Sequence, residues 1–328
     1  MLASTEFVRV GSWVFGTGVR DRNAEKLFHH IDTELNRLGS SMSLVARLDQ
    51  YYPQARCVAP YQAARKRAFE RRQVAPSTSV IVSALQDPQA EFDVQVMAAT
   101  SESGLEPEEI GAGLNRPETS GYTPCLRVGD LVFVAGQLAR DGSGALAARG
   151  TAAETDYIFR RRLLPALEAA DSGPDLVLKA QVYLSGSSSQ FYTVWETVFE
   201  GRVPPTTVVA LRHPAFLTPD ATVEVNLIAA RRSARSRVRR IERGEAHASM
   251  LDGLLFVGGL GGADLDQVVE KATPVFAEAG AEISNVVRAL VFHAGRRGIA
   301  EARLPFRFTS VEVQAGLTVD LWGYAPQP

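Results

Sequence analysis

The chain has 328 residues, 45% of them hydrophobic and 22% charged, with a net charge of −2. That is a globular composition, long enough for two or three domains, and it carries no bulk attraction to nucleic acid or to a membrane surface. The only cysteines, Cys57 and Cys125, form neither a disulfide framework nor a metal motif; no apolar run reaches the ~18 residues of a membrane span, and Met1–Val10 lacks the pattern of a signal peptide, so a cytoplasmic protein is expected.

The elements follow from an internal repeat. Gly129–Gln137 reads GDLVFVAGQ: a turn pair, four apolar β-favouring residues, then a strand end at Ala-Gly-Gln. Weaker copies stand at Gly11–Val19 (GSWVFGTGV) and Asp252–Leu260 (DGLLFVGGL). The stretches downstream of each copy match too, which predicts three versions of one unit, spanning 1–108, 109–232 and 233–328.

In the first unit, Leu27, Ile31, Leu35 and Leu38 share one face, predicting a helix over Ala24–Leu38 that stops at Gly39. A strand follows over Leu44–Tyr52, then a helix from Pro60 to Arg72, then strands Ser77–Ala84 and Phe92–Ala99. The stretch from Glu102 to Ser120 reads as a linker. The second unit repeats the order. Its first helix carries Phe159, Leu163, Leu167 and Ala170, followed by strand Leu176–Leu184, helix Ser189–Glu200, and strands Thr206–Leu211 and Thr222–Ala230.

In the third unit Val268, Ala272, Phe276 and Ala279 repeat the helical spacing. Pro274 sits five residues before Ala279, as Pro165 sits five before Ala170, and an internal proline shared by two helices points to duplication. Strand Asn285–His293 comes next. Only eleven residues separate His293 from Pro305, so the second helix of this unit is expected to be shortened or lost. Each unit therefore reads β-β-α-β-α-β-β, an α+β sheet with helices on one face. The bare face of each sheet would be covered if the three closed around a shared centre.

With those residues in view, the second unit resembles the RidA/YjgF/YER family of small trimeric enamine/imine deaminases, whose fold is chorismate-mutase-like. The resemblance rests on Gly121-Tyr122, GDLVFVAGQ, LVLKAQVYLSG, Pro204-Pro205-Thr206-Thr207 and Val223-Glu224-Val225. It is clear over the second unit, moderate over the first and weak over the third. It implies a single-chain pseudotrimer, monomeric, with sites in the clefts between units and a small carboxylate as substrate. In the family an arginine of a Pro-x-Arg segment clamps that carboxylate, and a glutamate on the last strand handles water. A serine at the strand end and an upstream tyrosine line the cleft.

Carried over residue by residue, the set is scattered. The arginine position falls on Thr78, Thr206 and Arg307. The glutamate position falls on Asp93, Glu224 and Asp320, and the serine position on Thr17, Ala135 and Gly258. Tyr122 alone fills the tyrosine position. The implied reaction is hydrolysis of an imine or enamine in one surviving cleft, with Glu224, Asp320 and Asp93 as candidate catalytic acids and Arg307, Tyr122 and Thr17 as candidate binding residues. A chorismatase-like enol-ether hydrolase and a non-catalytic binder are the alternatives.

Other signals read as structural. Gly16-Thr17-Gly18 and Gly259-Leu260-Gly261 lack the third glycine and the acidic residue of a dinucleotide loop. The histidines are dispersed and no HExxH or CxxC occurs, so no metal and no cofactor are expected. The arginine run Arg231–Arg243 reads as a linker and a charged edge strand.

Overall fold

The computed structural model describes residues 6–69, 74–111, 121–218, 220–295, 299 and 304–326. It contains three mixed β-sheets with helices. In the first third the order is β1 (Phe7–Val10), β2 (Trp13–Asp21), α1 (Ala24–Arg37), β3 (Val45–Tyr52), α2 (Val58–Ala68), β4 (Ser77–Ile81), β5 (Ala84–Leu85) and β6 (Phe92–Ala99). The middle third has β7 (Pro107–Glu109), β8 (Cys125–Val128), β9 (Leu131–Gln137), α3 (Thr151–Ile158) running through a π-helical turn at Phe159–Leu163 into α4 (Leu164–Ala169), β10 (Val177–Leu184), α5 (Ser188–Val198), β11 (Thr206–Ala210) and β12 (Val223–Ala230). The last third has β13 (Arg239–Arg243), β14 (Ala246–Leu251), β15 (Leu254–Val257), β16 (Leu260–Gly261), α6 (Leu265–Ala279), β17 (Val286–His293), β18 (Thr309–Glu312) and β19 (Leu317–Tyr324).

The sheets run β1-β2-β6-β3-β4, then β11-β10-β12-β9-β8-β7, then β13-β14-β15-β19-β17-β18-β5. Each has the same centre: a strand (β3, β10 or β17) antiparallel to the last strand (β6, β12 or β19) and parallel to a short one (β4, β11 or β18). Each pairing of central and last strand also carries the same irregularity, between Val45 and Arg47, Val177 and Lys179, and Val286 and Arg288. That shared bulge fixes which residues correspond, because one slip in register would turn every side chain to the wrong face.

Two boundaries differ from expectation. The strand expected over Ser77–Ala84 is broken: β4 stops at Ile81 and β5 crosses to pair with β18, covering the edge of the third sheet. β7 spans the expected 108/109 boundary and pairs with β8, so it belongs to the second sheet. The expectation of a shortened second helix in the last third falls mostly on residues 294–304, largely outside the described residues. The shared proline is accommodated in two ways. Pro274 lies inside continuous α6, whereas Pro165 follows the π-helical turn, where the carbonyl of Arg161 has no N–H to accept from it.

The helices are held by their apolar stripes. Leu27, Ile31 and Leu35 are buried on α1, whose start is capped by the Asn23 side chain accepting from the Lys26 N–H. They pack with α2 on one face of the first sheet, and separate clusters do the same for the second and third. The opposite faces meet in two further clusters, each drawing on all three sheets. One contains Phe15, Phe133, Phe256 and Trp322; the other contains Tyr51, Tyr183 and Phe292, with ring centroids 6.0–6.3 Å apart. No helix among the described residues is long and apolar enough to cross a membrane.

Between these clusters lies a buried ionic centre. Arg47, Lys179 and Arg288 occupy the matching positions beside the three bulges. Arg47 grips Asp49 through two nitrogens at 2.9 and 3.0 Å and donates to Asn226 Oδ1 at 2.6 Å. Arg288 pairs with Asp320 (2.5 Å) and Asp49 (3.2 Å), and Lys179 pairs with Asp320 (2.6 Å). Charges this deep persist only when paired and hydrogen-bonded.

Candidate active site

Three seams join the sheets. In each, the glycine-bearing end of one sheet's second strand meets the short parallel strand of another: β2 meets β18, β9 meets β4, and β15–β16 meets β11. Their contents differ, and the difference decides where a ligand can act.

The seam between the first and third sheets is occupied by its own side chains. Arg20 Nε donates to Asp93 Oδ2 at 2.6 Å, Thr309 Oγ1 donates to the same oxygen at 2.8 Å, and Gln95 Nε2 donates to the other at 2.7 Å. Arg307 is here too, half-buried, 3.5 Å from Glu6 of the first third. Thr17 lies alongside, its N–H donating to Glu6 O and its hydroxyl to Val287 O. Arg307 therefore shares a seam with Thr17 and Asp93, not with Tyr122 or Glu224.

The seam between the second and third sheets is closed by backbone approach. The Gly259 N–H donates to Thr206 O, and a side chain at Gly259 would press on Thr207. Lys179 fills the remaining space, donating to Thr207 Oγ1 and Val257 O.

The seam between the second and first sheets is different. Its centre is Glu224 on β12, 6% exposed. Gly136 makes room for it, since any side chain there would collide with Glu224 Oε1. Burial pushes the Glu224 carboxyl up to about 8, and Asp49 adds to that, while Arg140 and the Ser79 N–H that donates to the carboxyl pull the other way. Tyr122 reaches the same place because its chain bridges to Val74 just ahead of β4. Burial, and then Glu224, raise its phenol, opposed by Arg140, Arg162 and Arg65. So one buried acid, one tyrosine and three arginines act on each other here.

The correspondence between sheets corrects two alignments. β10 pairs Tyr183 with Glu224, β3 pairs Tyr51 with Asp93, and β17 pairs Phe292 with Thr318. The counterpart of Glu224 and Asp93 is thus Thr318, and Asp320 lies two residues away, matching Asn226 and Gln95. Asp320 serves the ionic centre instead. Burial alone would raise its carboxyl, but Lys179 and Arg288 hold it below its ordinary value, with Thr207 donating at 2.8 Å. On the short parallel strands, Thr206 pairs with Ala180 and Ser77 with Leu48, so Thr206 corresponds to Ser77 and not to Thr78. In the third sheet that register falls on Phe308, next to Arg307.

Ser77 matters because it receives Arg65 of α2. The Arg65 Nη1 donates to Ser77 Oγ at 2.8 Å, fully buried, with its guanidinium carbon 5.7 Å from the Tyr61 ring. Sequence reasoning misses Arg65, although a signal exists. Tyr61, Arg65 and Phe69 keep the i, i+4, i+8 spacing that Phe191, Trp195 and Phe199 keep on the matching helix, and Trp195 Nε1 likewise donates to Thr206 Oγ1. A cation on the buried stripe of a helix is the anomaly to look for. Among the described residues, no three His, Cys, Asp or Glu side chains are grouped to hold a metal ion.

Residues 113–231 match the model of the family described as endoribonuclease L-PSP, the RidA/YjgF family. Similar solved structures include RidA from the Antarctic bacterium Psychrobacter, 23% identical with a TM-score of 0.34, covering 38% of this chain and 98% of that one. A YjgF-family member from Mycobacterium tuberculosis is 25% identical with a TM-score of 0.32, covering 38% of this chain and 99% of that one. No curated protein matches.

Proposed function

We propose, for a chain whose residues 113–231 belong to the RidA/YjgF family, that the seam between the first and second sheets hydrolyses a small carboxylate-bearing enamine or imine. The single observation that carries this is the buried Glu224 carboxyl, raised to about 8 between Tyr122 and Arg140. An acid with a pKa near neutrality transfers protons best. At pH 7 Glu224 is mostly protonated, so it gives its proton to the terminal carbon of an enamine, leaving an iminium. The resulting carboxylate then accepts a proton from water as the oxygen bonds to the iminium carbon. Collapse releases ammonia and a 2-oxo acid. Arg65 takes over the substrate-carboxylate contact that a strand arginine would supply, because it reaches the Ser77 position from α2.

The same reading makes the chain a monomeric counterpart of three associated units, divided near 108 and 232. The two apolar clusters shared by all three sheets support it. Only one seam would be catalytic, since Arg20 and Asp93 fill the second and Lys179 fills the third.

A second reading, hydrolysis of an enol ether, is favoured by the same proton donor, because it too begins with protonation of an electron-rich double bond. The experiment is to supply a freshly generated 2-imino acid and follow ammonia and 2-oxo acid, with Glu224→Gln as the control. Rates no higher than those without protein overturn the deaminase reading. Silence on imines with turnover of a carboxylated enol ether favours the second.

A further inference from the structure

We infer that the ligand of the Glu224 seam carries two anionic groups, a dicarboxylate or its close equivalent, with Arg140 and Arg162 reading the second group. This rests on the reading of that seam as the ligand site and adds the class of molecule it takes.

The argument is one of charge. Arg140, Arg162 and Arg65 all act on the Tyr122 phenol, and Arg140 also acts on Glu224. With Glu224 protonated, this group offers Arg140 and Arg162 no negative charge. Among the described residues, neither Arg140 nor Arg162 lies within ion-pair distance of a carboxylate. Elsewhere in the chain, deep cations are met by acids: Arg47 by Asp49, and Arg288 and Lys179 by Asp320. Two half-buried guanidinium groups left without an acid are costly unless a ligand supplies the negative charge. Burial already lowers the Arg162 pKa.

The geometry holds both side chains ready. Arg162 Nε donates to Gln137 Oε1 at 3.1 Å, and Gln137 is itself locked by donating to Ala135 O at 3.1 Å. Neither terminal nitrogen of Arg162 donates to an acceptor among the described residues, which leaves the flat fork that matches a carboxylate. Its position comes from the π-helical turn at Phe159–Leu163, a one-residue widening of the kind often found where a helix serves a site. Arg140 is pinned through Nε to Thr218 Oγ1 at 2.6 Å. At the matching positions the other sheets have Arg22, exposed and donating to Gln89 Oε1, and Ala263 after the strand end, and on the helix His30 and Lys271, which face the acids Glu6 and Glu245.

The test is calorimetric binding of succinate and glutarate against butyrate and pentanoate at low ionic strength, on the full chain. The expected result is a preference of about tenfold or more for the diacid of equal length, the size of one charge-assisted contact. Arg162→Gln and Arg140→Gln should each reduce that preference towards parity. Arg160→Gln, which removes the same charge from the same turn at an exposed residue paired with Asp156, should keep it. Equal affinity for diacid and monoacid overturns the inference, and so does a preference that survives both seam variants or is lost equally in Arg160→Gln. Diacid preference without imine hydrolysis sinks the deaminase reading alone; imine hydrolysis without the preference sinks this one alone.

Discussion

Arg65 and Ser77 are joined by a 2.8 Å hydrogen bond that links helix α2 to the first residue of β4. The contact puts a guanidinium at the register position where the second sheet has Thr206 and its partner Trp195. If Arg65 holds the substrate carboxylate, Arg65→Met keeps much of the buried volume and removes the charge. The expected loss is about 10- to 100-fold in kcat/KM, the worth of one charge-assisted contact. Steady-state kinetics check it, with thermal unfolding alongside to show that the variant still folds. An unchanged kcat/KM would place the substrate anchor elsewhere.

If Glu224 is the proton donor, activity is expected to fall as pH rises. On that reading the protonated form donates, and with the carboxyl pushed up to about 8 the donor is lost above that value. The expected kcat profile is flat through neutrality and falls tenfold per unit above about 8. The stability linkage has the same sign. The folded pKa lies above the unfolded one, so the folded state holds an extra proton between about 4.5 and 8 and stability declines across that window. Glu224→Gln removes this decline and is expected to be more stable than wild type at pH 9 by an amount on the order of a few kcal/mol. Urea titrations at pH 5, 7 and 9 read both proteins.

Gly136 is kept small by Glu224. Gly136→Ala would drive its new methyl into the carboxyl and towards Thr78 Oγ1. Overpacking of this kind costs about 1–3 kcal/mol, and here the displaced group is the proposed proton donor. The expected outcome is a loss of turnover well beyond the loss of stability, seen by comparing kcat with the unfolding midpoint. The matching substitution Gly259→Ala touches a closed seam, against the Thr207 backbone and Thr318, and is expected to lower stability with little direct effect on kcat.

Much of this arrangement is legible in the sequence because strands and helices announce themselves by period. Leu27, Ile31 and Leu35 mark α1, and the Phe15, Phe133 and Phe256 copies mark the sheet faces that meet in the shared cluster. Glu224 and Tyr122 are visible as residue types in a familiar order. Three features are hidden, for physical reasons. Arg65 looks like part of the basic run Arg65–Arg67, because burial of a cation is a tertiary event. Asp320 looks like the counterpart of Glu224, because both are acids on a last strand, and only register separates positions two residues apart on the same face. The departure of Ser83–Leu85 towards β18 is invisible because an edge pairing between distant segments leaves no local pattern.

Asp320 gives the sharpest test of structural against catalytic work. Its two oxygens are shared by Lys179 of the second sheet and Arg288 of the third, and Arg288 passes on to Asp49 of the first. Asp320→Asn leaves two buried cations short of a partner. Breaking a buried pair from one side costs about 3–5 kcal/mol, because the remaining charge keeps its desolvation penalty. The network and both shared clusters cross all three sheets, so the loss is expected to appear as one shifted transition and not as early unfolding of the last third. Tryptophan fluorescence reports on Trp13, Trp195 and Trp322, one in each third, and its coincidence with far-UV circular dichroism decides the point. The kcat of the folded fraction should stay close to wild type, whereas loss of kcat without loss of stability would return Asp320 to the catalytic set.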